Sequence, residues 1–315
     1  MSAMHHPFPL SKVPQSLALV AMLGLAACTS GEGKSADDTA GEDGGADGAD
    51  GADGEDGDDG IAPLREVAEP SGTCPDLTST ALVDLSVNGV DRRASVVVPR
   101  SPSGTMGVVF FFHGLVDTSV AAPTEMMVDN LQMQSIADDL NVVVLLPEAP
   151  IYDLFGFEIY LWDLVVETDN DLVLLDDLRS CANDQLDIDL ERVAAWGFSG
   201  GALFTTVVAR ERGDVFASVL ESSGGADLEI PIWTELGSEY GTPAYQMPAL
   251  LQSGGEADVW PDPSFPIVDF EAASDVLADH LVADGHAVIR CHHDRGHTIT
   301  NAGFVQALDW VVDHT

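Results

Sequence analysis

Lysine is almost missing from this chain: its 315 residues hold two, Lys12 and Lys34, both near the amino end. With arginine included, 12 basic residues face 53 acidic ones, a formal net charge of −41 at pH 7. From residue 61 onward there are 41 acids, 10 arginines and no lysine, so the acidity is not confined to one tail. A surface of that sign repels polyanions, which argues against nucleic acid as a partner and favours neutral or cationic substrates. Cysteine is scarce as well, four residues without a Cys-x-x-Cys pair or zinc-type spacing. Long apolar runs are lacking too. The stretch 16–27 is uncharged and apolar but short of the roughly 20 residues a membrane span needs, and it follows Lys12 and two histidines.

That stretch reads as an export signal. It ends in Leu25-Ala26-Ala27-Cys28, which resembles the lipobox of bacterial lipoproteins and implies a lipid on Cys28 anchoring the exported protein to a membrane. Residues 29–60 are almost wholly Gly, Ala, Asp, Glu, Ser and Thr, with 12 acids and one lysine. Such a segment has nothing to bury, so it is expected to be a disordered, extended tether. Its Gly-Ala-Asp units lack the regular apolar position of calcium-binding sheet repeats, so a spacer is expected and not a metal site. The expected organisation is a leader over 1–27, an acidic tether over 28–70 and a catalytic domain over 71–315. With Cys28 lipidated, Cys74, Cys181 and Cys291 remain for one disulfide, and spacing does not choose the pair.

Beyond the tether, short β-branched runs alternate with longer amphipathic ones, the signature of an α/β sheet with helices on both faces. Eight strands are expected, at 81–87, 93–99, 107–112, 142–146, 193–198, 217–221, 249–252 and 287–290. The first two are joined by Asn88-Gly89 and read as a hairpin. Helices are expected at 125–140, 170–186, 200–212, 268–284 and 302–314 from their apolar spacing. Helix-length connections imply a mostly parallel sheet with an antiparallel start. Residues 149–169 and 228–247 fit neither pattern. Their aromatics, among them Tyr152, Phe155, Phe157, Tyr160, Trp162, Trp233, Tyr240 and Tyr245, suit pocket walls or pinned surface loops.

The chemistry concentrates in Val193-Ala194-Ala195-Trp196-Gly197-Phe198-Ser199-Gly200-Gly201, an apolar strand breaking into Gly-x-Ser-x-Gly before a helix. A serine on a sharp strand-to-helix turn needs glycines two positions either side, because side chains there would collide. A hydroxyl is a poor nucleophile at neutral pH, so an imidazole must take its proton and a carboxylate must hold the ring. Downstream, Gly254-Gly255-Glu256-Ala257-Asp258 follows one apolar strand, and His292-His293-Asp294-Arg295-Gly296-His297 follows another. The order Ser, Asp, His is that of the α/β-hydrolase arrangement. Asp258 is preferred as the acid over Glu256, which lies inside the turn. Ser222 and Ser223 lack an elbow glycine and read as turn or pocket residues. His292, His293 and His297 with Asp294 could ligate a metal only on a helix, which Gly296 opposes.

Residues from about 80 to 315 resemble the polyhydroxybutyrate depolymerase and feruloyl esterase-like branch of the α/β-hydrolases. The resemblance rests on Phe111-Phe112-His113-Gly114-Leu115, on 171–178, on Asp189-Leu190-Glu191-Arg192-Val193, on the Ser199 elbow, on Gly255-Glu256-Ala257-Asp258 and on Gly296-His297-Thr298. It implies an α/β-hydrolase fold and a serine esterase acting on polyester or plant-wall esters, with Ser199 as nucleophile, Asp258 as acid and His297 as base. It further implies an oxyanion hole from the backbone N–H groups of Leu115 and Gly200, a structural role for His113, and no cofactor. Gly200 replaces the larger residue usual in that family, and Trp260 with several prolines follows Asp258, so acyl and alcohol preference do not carry over. The rival readings are a peptidase or thioesterase on the same fold, and a binding module without catalysis.

Overall fold

A computed structural model describes residues 27–31 (backbone only), 65–154, 157–228, 238–261, 263–264 and 266–299. Most of the expected leader and tether, Phe155, Trp233 and the expected helix over 302–314 lie outside them. In chain order the elements are β1 (Ala27–Gly31), β2 (Ala81–Val87), β3 (Val90–Val97), β4 (Met106–Phe112), β5 (Val116–Asp117), α1 (Pro123–Asn130), α2 (Met133–Leu140), β6 (Val142–Pro147), β7 (Ile151–Leu154) and β8 (Phe157–Tyr160). Then come α3 (Asn170–Gln185), β9 (Ile188–Phe198), α4 (Gly200–Arg212), β10 (Ser218–Ser222), β11 (Ala249–Ser253), β12 (Val259–Trp260), β13 (Val268–Asp269), α5 (Phe270–Ala283) and β14 (Val288–His292).

The eight expected strands form one sheet in the order β14-β11-β10-β9-β4-β6-β3-β2, and β1 adds beside β14. Every pairing from β6 to β14 is parallel, while β2, β3 and β1 join antiparallel. The central strands β4 and β6 are buried at every position, because layers cover both faces of a parallel sheet. Val108, Phe110 and Phe112 pack with Leu174, Leu178, Phe204 and Val207 of α3 and α4. Val109 and Phe111 point the other way, toward Met133, Ile136 and Ala137 of α2. Asn88 and Gly89 both take positive φ, 51° and 81°, the demand of a two-residue hairpin turn.

The expected helix over 125–140 is two helices. Gln132 takes a left-handed conformation, φ 52° and ψ 42°, which interrupts the ladder between α1 and α2. The aromatic segment after β6 folds back as the pair β7–β8, and β5 adds to it as a third strand. Trp162 is 2% exposed and stacks on Phe204 at 4.6 Å, whereas Phe157 is 63% exposed, so this segment is part core and part surface. Cys74 and Cys181 form a disulfide that ties the approach to β2 onto α3, and Ser71 donates to Asp177 on the same helix. Cys291, on β14, stands in register with Cys28 of β1.

Candidate active site

The carboxyl ends of β9, β10, β11 and β14 converge on one corner of the sheet. β9 stops at Phe198, and α4 starts at Gly200, so Ser199 must reverse the chain within one residue. It does so with φ 56° and ψ −123°, a conformation costing about 1–3 kcal/mol for a residue other than glycine. A Cβ on Gly197 would run into the Gly201 carbonyl, and one on Gly201 into the Phe112 carbonyl. The elbow glycines are therefore required by close backbone approach. The Ser199 N–H donates to Ser222 O at 3.0 Å, which fixes the elbow to the neighbouring strand.

Asp258 ends a tight turn after β11, its N–H donating to Gly255 O at 2.7 Å, and it is fully buried. His297 follows β14 on a loop held to that turn by Gly296 N–H donating to Gly254 O at 2.8 Å. Its Nδ1 lies 2.8 Å from Asp258 Oδ1, and its Nε2 lies 2.9 Å from Ser199 Oγ. With the Nδ1 proton directed at the carboxylate, Nε2 is left to accept the serine proton. The structure thus brings together the three residues that the sequence singled out from segments 98 and 39 residues apart.

The two residues expected to supply the oxyanion hole are neighbours. A Cβ on Gly200 would rest 3.5 Å from Leu115 N, so the two residues adjoin across the turn. That is ordinary contact distance, so packing does not require a glycine; its lack of a side chain leaves space beside the Leu115 N–H. Gly114 abuts the serine, since a Cβ there would meet Ser199 Cβ at 3.0 Å.

His113 is fully buried, its Nδ1 donating to Gly114 O at 2.6 Å while its Nε2 accepts from Ala149 N–H at 3.1 Å. Burial pushes the imidazole down to about 4, so it stays neutral and shapes the turn before Leu115. Trp162 supports the same turn by donating to His113 O at 2.8 Å. Glu256 is exposed, and the carboxylate on His297 is that of Asp258. His292 turns to Asp294 and Glu271.

Two features escaped the sequence. Ser223 donates to Asp258 Oδ2 at 2.9 Å, beside the Gly254 N–H at 2.7 Å, so both carboxylate oxygens are engaged. Phenyl rings of Phe198 and Phe270 stack on His297, with centroids 5.1 and 4.5 Å away. Ser223 was legible only as a turn or pocket residue, and nothing in the spacing pairs Phe270 with a histidine 27 positions on.

No protein-family model and no curated protein matches the chain. Among solved structures, native pOPH is similar at 18% identity with a TM-score of 0.59, over 77% of this chain and 90% of that one. A ferulic acid esterase is similar at 13% identity and a TM-score of 0.53, over 75% and 98%. FphF, a fluorophosphonate-binding serine hydrolase of Staphylococcus aureus, is similar at 13% identity and a TM-score of 0.50, over 74% and 99%. The strand order with its two-stranded antiparallel start and these likenesses decide the architecture. The chain has the α/β-hydrolase fold. In open α/β sheets ligands bind outside the carboxyl ends of the strands, and Ser199, Asp258 and His297 follow such ends.

Proposed function

We propose that the protein is an exported serine esterase hydrolysing carboxylic esters. The observation that carries the reading is the unbroken line from Asp258 through His297 to Ser199, at 2.8 and 2.9 Å, ending on a serine in a strained elbow. In the proposed cycle His297 Nε2 takes the Ser199 proton as Oγ attacks the ester carbonyl. The developing oxyanion is received by the N–H groups of Leu115 and Gly200, donors of a kind worth about 3–4 kcal/mol each. His297 then protonates the departing alcohol, leaving an acyl-enzyme. Water, deprotonated by the same imidazole, releases the acid and restores Ser199. Asp258 holds the imidazole tautomer and its positive charge throughout.

The substrate class we propose is a neutral polyester or plant-wall ester, as the resemblance to the polyhydroxybutyrate depolymerase and feruloyl esterase-like branch implies. The acidity of the folded part supports neutral over anionic esters. The test is a panel of feruloyl, acetyl-xylan and hydroxybutyrate esters, with aryl thioesters and peptides alongside. Preferential ester turnover that vanishes in Ser199→Ala supports the proposal; ester turnover retained in full by Ser199→Ala overturns it, and preference for peptides or thioesters replaces the bond. Membrane attachment through Cys28 is proposed from the Leu25-Ala26-Ala27-Cys28 sequence. Membrane association should be lost in Cys28→Ala, and its persistence would sink the anchor.

A further inference from the structure

The segment after Asp258 is one of two places where the sequence departs from the resemblance, and its folding gives that departure a purpose. Val259 and Trp260 pair with Asp269 and Val268 as a short antiparallel ribbon, so the chain leaves Asp258 and returns beside it. At the return, Asp269 caps α5 by accepting from Ala272 N–H at 3.0 Å. The next residue, Phe270, donates its N–H to Asp258 O at 2.9 Å and is 2% exposed. Its ring lies against the His297 imidazole with centroids 4.5 Å apart and planes 12° apart.

A second ring lies against the imidazole as well. Phe198, the residue before the candidate nucleophile, stacks on it at 5.1 Å and 24°. Both rings lie nearly parallel to the imidazole. A ring held against two flat surfaces keeps rotation in its own plane but loses tilt.

We propose that Phe270 is a positioning residue for the base: its backbone holds Asp258 while its ring, together with that of Phe198, fixes the His297 imidazole in line between acid and nucleophile. The proposal rests on the esterase reading above. Geometry of this kind acts on the reacting step, since misplacement by about 1 Å can cost about a hundredfold in rate. Substrate affinity is not involved, because the phenyl ring touches the imidazole and the acid turn.

The test compares wild type, Phe270→Leu and Phe216→Leu on a short-chain aryl ester, with unfolding midpoints measured alongside. Phe216 is equally buried, packs against Phe110 and controls for loss of core volume. Phe270→Leu should lower kcat between about tenfold and a hundredfold with KM within about twofold, while Phe216→Leu keeps the wild-type kcat. In histidine-labelled protein, the His297 ring protons should resonate upfield in wild type from the two phenyl ring currents. They should move downfield in Phe270→Leu while the resonances of the distant His286 stay fixed. An unchanged kcat in a folded Phe270→Leu, or a fall of equal size in Phe216→Leu, would overturn the positioning role. If Phe270→Leu unfolds, an unshifted His297 resonance in the wild type overturns it instead. Absence of ester turnover in wild type would count against the esterase reading, whereas the resonance shifts report the stacking with or without turnover.

Discussion

Glu221 is the last-but-one residue of β10 and fully buried, and among the described residues no basic side chain pairs with it. Burial pushes its carboxyl from 4.5 up to about 8, against the smaller opposing effect of hydrogen bonds from Thr206 and Gly225. The protonated form fits its surroundings. Glu221 Oε1 and Thr206 Oγ1 are 2.8 Å apart, Thr206 Oγ1 is 3.0 Å from Gly225 O, and Gly225 N–H donates to Glu221 Oε2 at 2.9 Å. An acid proton on Oε1 can be given to Thr206, which then gives its own proton to the Gly225 carbonyl, and every group has a partner. Glutamine reproduces that pattern with its amide donating to Thr206.

Between 4.5 and about 8 the folded protein keeps a proton that the unfolded chain has released. Stability therefore falls as pH rises through that window, by up to about 1.4 kcal/mol per pH unit, and the loss is complete above about 8. Across pH 5 to 8 the carboxyl costs on the order of 4 kcal/mol at most. Urea unfolding of wild type and Glu221→Gln at each pH from 5 to 9 isolates this one group, because all other titrations are shared. The variant should match wild type at pH 5 and exceed it by a margin that grows to pH 8 and then levels. A difference that stays flat from pH 5 to 9, or that shrinks as pH rises, refutes the reasoning.

Two other substitutions follow from the same corner. Ser223→Ala leaves Asp258 Oδ2 with the Gly254 N–H alone; kcat on an aryl ester should drop about fivefold, a transition-state loss of about 1 kcal/mol. Steady-state kinetics showing a change confined to KM would contradict that. Replacing Cys74 and Cys181 by serine opens a loop spanning 107 residues, which in the chain-entropy account lowers stability by about 4–5 kcal/mol. Urea midpoints read it directly, and an unmoved midpoint would mean that the cross-link constrains nothing in the unfolded chain.

The sheet was legible because its central strands are short continuous apolar runs separated by helix-length segments, and Asn88-Gly89 marks the hairpin that starts it. Ser199, Asp258 and His297 were legible because each sits where an apolar strand runs into a glycine turn. The break at Gln132 was not, since the apolar spacing of 125–140 continues across it and only the left-handed backbone interrupts it. Residues 149–169 carried two readings because aromatics serve cores and surfaces alike, and Trp162 and Phe157 answer differently. Ser223 and Phe270 touch the site through turns whose course depends on tertiary packing. Sequence order gives no measure of how far the 259–269 excursion strays before it returns to Asp258.

The central claim is that Ser199 is a nucleophile made reactive by His297. A fluorophosphonate probe tests it most directly, with the adduct located by mass spectrometry in wild type, Ser199→Ala and His297→Ala. The account predicts one adduct per chain on Ser199 in wild type, none in Ser199→Ala, and labelling in His297→Ala slowed by about a thousandfold or more. An unlabelled wild type, an adduct on another residue, or equal labelling without His297 would contradict it.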